Sequence, residues 1–175
     1  FRFGTYINTT TISCYTHGLL GLLDEYNAYL HSMATAYWLK GAYMTVNDDE
    51  LTNYIKWRNG ISSEELAFYE FSYYILEYFL YAKSQNGPVW KEIQQSNIVE
   101  IYNSITENFQ LFIQKMDEER ANSKTHWAKK GITFSEDEKA EWYHRDGFGW
   151  GVGKFRDIAV LKEHLSGNKY DKIGR

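Results

Sequence analysis

Asp24 and Glu25 stand side by side in the apolar run from Leu19 to Leu30, and His17 and His31 flank Asp24 at seven residues on either side. Carboxylates inside an apolar helix are costly to bury unless something pairs with them, and carboxylate with imidazole is a ligand set for zinc. Helical spacing brings His17, Asp24 and His31 near one face, with Gly21, Ala28 and Thr35 filling the same stripe. Successive members are two turns apart, roughly 10 Å along the axis, which is too far for all three to bind one ion directly. The stripe therefore reads either as a polar seam against another helix or as a face that a ligand or metal approaches closely.

Three other constellations carry chemical types. Glu141-Trp-Tyr-His144 has the Glu-x-x-His spacing of di-iron helical bundles, and Glu70, Glu77, Glu100 and Glu107 are carboxylates for such a site. A second Glu-x-x-His is absent, so a surface helix with incidental spacing is the better account. The series Gly147-Phe-Gly-Trp-Gly-Val-Gly153 before Lys154 invites a phosphate-loop reading, but no strand precedes it and Phe155 stands where a P-loop needs Ser or Thr. It reads instead as a flexible or bulged connection laying Phe148, Trp150 and Val152 onto a bundle. Cys14 lacks the partners of a nucleophile and is expected to be a buried, inert thiol.

The segment Asp24-Glu25-Tyr26-Asn27-Ala28-Tyr29 resembles the third-ligand helix of gluzincin-type zinc metallopeptidases. By that resemblance Glu25 is the third zinc ligand, Asp24 the preceding polar residue and Ala28 the small residue three places on, with His17, His31 and Tyr29 as site neighbours. Tyr26 and Asn27 replace the family's Gly-Phe pair, and no His-Glu-x-x-His occurs in the chain. That motif supplies two ligands and the general base. It precedes the glutamate helix in the family, so the resemblance implies a ligand-bearing helix upstream of Phe1. The resemblance covers about 20 residues. It implies zinc in the full-length parent, none tightly bound to this chain alone, and a peptide as substrate.

The elements that must position these residues are helical. A lone proline, Pro88, and few turn signals favour long helices over a sandwich or barrel. Phe1 to Thr11 is expected to be an extended arm, followed by a helix from about Ile12 to Met44. A short helix from Asn47 or Asp48 ends before Gly60, and Ser62-Ser63-Glu64-Glu65 reads as a capping box opening a third helix to about Ser84. Aromatic residues lie on nearly every face of that third helix, from Phe68 to Tyr81, which makes it the central core helix. Glu70 and Glu77 share a face expected to point to solvent or into a polar cavity. Asn86-Gly87-Pro88 stops the helix, and the next begins at Pro88, breaks near Gln95-Ser96-Asn97 and continues from Ile98 to about Asn122. Ser135-Glu136-Asp137-Glu138 reads as a second capping box, starting a helix to about Arg145, and a last helix covers Phe155 to Leu165.

Composition bounds the rest. A formal charge of −4 gives no electrostatic footprint for nucleic acid or anionic membrane. No apolar run is long and clean enough to span a bilayer. The 15 Tyr, 10 Phe and 6 Trp fit rings packed inside with polar tips reaching water or a partner. The expectation is one all-α domain over residues 1–175, with a core bundle over 12–122 and a Gly-rich appendage over 123–175. The chain begins at Phe1 rather than Met, which fits a C-terminal piece of a longer protein. Two functions follow. One is the helical part of a zinc-metallopeptidase-like protein, contributing Glu25 but inactive alone. The other is a non-catalytic helical binding or assembly module whose Tyr/Trp surface recognises a peptide, a sugar or a second subunit.

Overall fold

The computed structural model describes residues 16–46 and 49–173. Among the described residues six α-helices run in chain order: α1 Leu19–Trp38, α2 Lys40–Tyr43, α3 Glu50–Gln85, α4 Gly87–Gln95, α5 Ile98–Lys129 and α6 Arg156–Leu165. The strands β1 Thr133–Glu136, β2 Ala140–Arg145 and β3 Phe148–Gly153 precede α6, and a 3₁₀ turn at Asn168–Ile173 follows it. Helix accounts for 76% of the structure, so the chain is mainly α; the small antiparallel sheet makes it other than all-α. Among the described residues no helix is long and apolar enough to cross a membrane. The expected N-terminal arm and Cys14 lie outside the described residues.

Local chemistry explains where the helices begin and end. Asp49 caps α3 by accepting from the Thr52 amide at 3.2 Å. Gly60 does not stop that helix, and Ser62 and Ser63 do not open a new one. Their hydroxyls bond back to the carbonyls of Asn59 (2.9 Å) and Gly60 (3.2 Å) inside one continuous helix. Asn86 caps α4 through the Val89 amide at 3.4 Å, ahead of Pro88 in its first turn. Helix α5 runs seven residues past the expected Asn122 and ends at Gly131, whose φ of 77° suits a glycine. There the Ile132 amide reaches back to Trp127 O at 3.1 Å and the Gly131 amide to Ala128 O at 3.0 Å.

The stretch expected as a helix over 135–145 is two strands. Asp137 presents the acceptors of a helix cap, but its Oδ1 takes the amides of Lys139 (2.7 Å) and Ala140 (2.8 Å) and so closes a turn between β1 and β2. Asp146 and Gly147, with φ of 53° and 81°, then form the two-residue link between β2 and β3. The glycine-alternating segment is therefore a paired strand, in the register Tyr143↔Trp150 and Glu141↔Val152. Of its large side chains Val152 is buried, but Phe148 is 70% exposed and is not laid onto a bundle.

The chain divides into two compact units. The first comprises Phe1–Leu30, Leu66–Phe109 and Asp157–Arg175; the second comprises His31–Glu65 and Gln110–Arg156. The first unit is centred on Tyr26, which is fully buried. Its ring stands 5.4 Å from Phe109 and 6.1 Å from Tyr102, and its hydroxyl bonds Ser72 Oγ at 2.9 Å and Thr106 Oγ1 at 3.2 Å. Burial pushes the Tyr26 hydroxyl pKa well above its ordinary value. Phe68, Phe71 and Phe79 fill the same core, as expected of a central helix.

The core of the second unit is built from Tyr54, Trp57, Trp127 and Tyr143, each no more than 3% exposed. The Trp57 indole donates to Ala36 O at 2.8 Å, which fixes its ring while burying it. Asn59 holds the free edge of β3. Its amide nitrogen donates to Gly151 O at 3.0 Å and its oxygen accepts from the Gly153 amide at 2.9 Å, satisfying main-chain groups an edge strand leaves open.

Candidate functional site

Along α1 the core positions Leu19, Leu22, Leu23, Tyr26, Leu30 and Met33 recur at helical spacing and are buried. Tyr37 is the next member of that series. Trp38 and Leu39 lie off the stripe, 70% and 50% exposed, and Tyr43 and Val46 beyond them are 43% and 69% exposed. Within the second unit Tyr37 meets Trp38 edge-on at 5.3 Å and Phe112 of α5 at 5.8 Å. The Lys115 ammonium sits 5.6, 5.5 and 5.2 Å from the rings of Tyr37, Trp38 and Phe112. A cation over three ring faces holds an aromatic surface in place without covering it. This patch escaped the sequence reading, although the break in the α1 spacing after Tyr37 was a usable signal.

Other predicted residues are placed as follows. Asp24, Ala28, His31 and Thr35 are exposed, so that stretch of the polar stripe faces solvent; His17 is exposed as well, while Gly21 is buried. Glu25 and Tyr29 are half-buried on α1, Tyr29 with its ring 5.5 Å from Phe71. Among the described residues no three of His, Cys, Asp and Glu converge as metal ligands. Glu70 is fully buried instead of facing solvent. Glu77 is engaged by Lys169 and by the Tyr170 hydroxyl within the first unit.

The Glu-x-x-His pair separates because it lies on a strand, where residues three apart point to opposite faces. His144 bonds Ser135 Oγ at 2.8 Å on the side of the sheet occupied by Gly149 and Trp142. Glu141 turns inward and is 2% exposed. It is met by Arg120 Nε at 2.7 Å, Lys124 Nζ at 2.9 Å and the Tyr143 hydroxyl at 3.1 Å. Burial alone would raise its pKa, but the Lys124 bond and the Arg120 charge outweigh that and hold the carboxyl below its ordinary value. Glu136 joins the network through Lys154 at 2.5 Å and Arg120 at 3.5 Å. With both Glu141 oxygens already engaged, the group ties β2 to α5 and does not offer a reactive carboxylate.

Compared with known protein families, curated proteins and solved structures, the chain matches none.

Proposed function

We propose that this chain is a non-catalytic helical binding module whose second unit recognises an apolar peptide segment. The observation that carries the reading is the aromatic patch at the end of α1: Trp38, 70% exposed, beside Tyr37, Phe112 and Lys115. A large exposed ring among fixed neighbours is the usual anchor of a protein interface, because it removes much area from water at little entropic cost. Exposed Leu39, Tyr43 and Val46 extend the apolar character along the chain from Trp38.

Selection from a random peptide display library tests it, with the Trp38→Ser variant as the counter-selecting target. Peptides that bind the parent chain and lose about tenfold or more on Trp38→Ser support the reading, since an anchoring ring commonly contributes 2 kcal/mol or about that. Peptides that bind both proteins equally, or no enrichment at all, overturn it.

The metallopeptidase reading is the second proposal. It rests on the resemblance of Asp24 to Tyr29, and the half-buried position of Glu25 on a regular helix supports it by leaving the carboxylate within reach of a segment supplied from elsewhere. Zinc analysis of a longer chain carrying a His-Glu-x-x-His, with and without Glu25→Gln, decides that reading.

A further inference from the structure

A cavity of about 250 Å³ opens in the second unit between α2, the start of α3 and the last turns of α5. Its wall includes Met44, Tyr54 and Trp127 as apolar surface and Glu50, Glu119 and Lys40 as charged groups. It is smaller than the roughly 300–1,000 Å³ that takes drug-sized ligands, so its occupant is a compact molecule.

The sign of its occupant turns on the acceptor left open. Two carboxylates stand on the wall, Glu50 balanced by Lys130 and Glu119 by Lys40. Lys40 pairs with Glu119, and Ser123 donates to the same Glu119 oxygen, Oε1, at 3.0 Å. Glu119 Oε2 has no partner among the described residues. Glu50 is engaged by Lys130 and lies 3.6 Å from His126. An open carboxylate oxygen is complemented by a cationic N–H donor, and a charge-assisted bond to it is among the stronger polar contacts available. Tyr54 and Trp127 offer contact to an apolar body, and the Trp127 ring already carries the Lys130 ammonium at 5.2 Å. An anion brought to the open Glu119 oxygen would meet like charge and lose its hydration there.

We propose that this cavity binds a small primary ammonium compound with an apolar body, its head on Glu119 and its body against Met44, Tyr54 and Trp127. The proposal is independent of the peptide-binding patch.

Isothermal titration calorimetry of the full chain with phenethylamine tests it, at low salt and at pH 8. The matched comparator is 3-phenylpropionate, with the same ring and the opposite charge. Saturable one-to-one binding of phenethylamine is expected, about tenfold weaker in Glu119→Gln for the loss of one hydrogen bond to a charged group, with no saturable heat from 3-phenylpropionate. Met44→Lys places a second ammonium on the wall and is expected to abolish phenethylamine binding, which serves if Glu119→Gln does not fold. Absence of saturable phenethylamine binding overturns the proposal. So does equal affinity in the parent and in both variants, or equal binding of 3-phenylpropionate.

Discussion

The indole of Trp142 lies across Gly151 so closely that a Cβ built there would stand 3.1 Å from its Cζ3. Trp142 cannot simply tilt away, because its Nε1 donates to Asp137 Oδ2 at 2.9 Å, and Asp137 also closes the β1–β2 turn. Gly151→Ala is therefore expected to destabilise the second unit by about 1–2 kcal/mol, despite alanine's lower entropic cost in a strand. Adding Trp142→Leu should recover much of that loss. Urea denaturation of the single and double variants measures it, and an additive result would show that the indole is not the obstacle.

Glu141→Gln removes the charge that Arg120 and Lys124 surround. Fully buried pairs lose about 3–5 kcal/mol when one partner goes. Arg120 and Lys124 keep 30% and 35% side-chain exposure, so about 2–3 kcal/mol is expected here.

The same pair of proteins gives a pH signature. The folded pKa of Glu141 is lowered from the ordinary 4.5, so its contribution is fully present above that value and is lost as pH falls through the lowered one. The stability difference between parent and Glu141→Gln is thus expected to be constant at neutral pH and to shrink below about pH 4.5. A gap that widens on acidification would contradict the assigned direction.

Tyr26→Phe keeps the ring packing of the first unit and deletes the hydroxyl that bonds Ser72 and Thr106. Thr106 retains its bond to Tyr102 O at 2.8 Å, but Ser72 is 3% exposed and loses its Tyr26 partner. A loss of about 1–2 kcal/mol is expected by thermal or urea unfolding, with an unchanged far-ultraviolet circular dichroism spectrum.

Glu25→Gln separates the two roles open to that residue. On a half-buried position it is expected to change stability by no more than about 0.5 kcal/mol, as surface substitutions usually do. In a longer chain with the missing zinc motif it should abolish stoichiometric metal. A loss of about 3 kcal/mol or more in this chain would mark Glu25 as half of a buried structural pair and remove it from the ligand set.

Helix was legible in the sequence because it is a local property. The stop at Asn86-Gly87-Pro88, the break near Ser96 and the last helix up to Leu165 all follow from caps and spacing that act over a few residues. The sheet had a local signal too, Asp146-Gly147 between two short runs of large residues, but the acidic cluster before it imitates a helix cap. A carboxylate beside free amides closes a turn as readily as it caps a helix, and pairing with β1 and β3 decided which. Gly60 likewise looked like a boundary; the helix runs through it, with Asn59 bonding the β3 edge from the preceding position. The candidate sites were less legible. Trp38 is exposed because the α1 core spacing passes it by, a fact the sequence contains. That Lys115 sits over the same rings depends on α5 folding beside α1 within the second unit, 77 positions along the chain from Trp38. Sequence set the periodicity and the stops, which are neighbour interactions; only the tertiary structure chose which charges pair and which rings stay in water, because those depend on residues far apart in the chain.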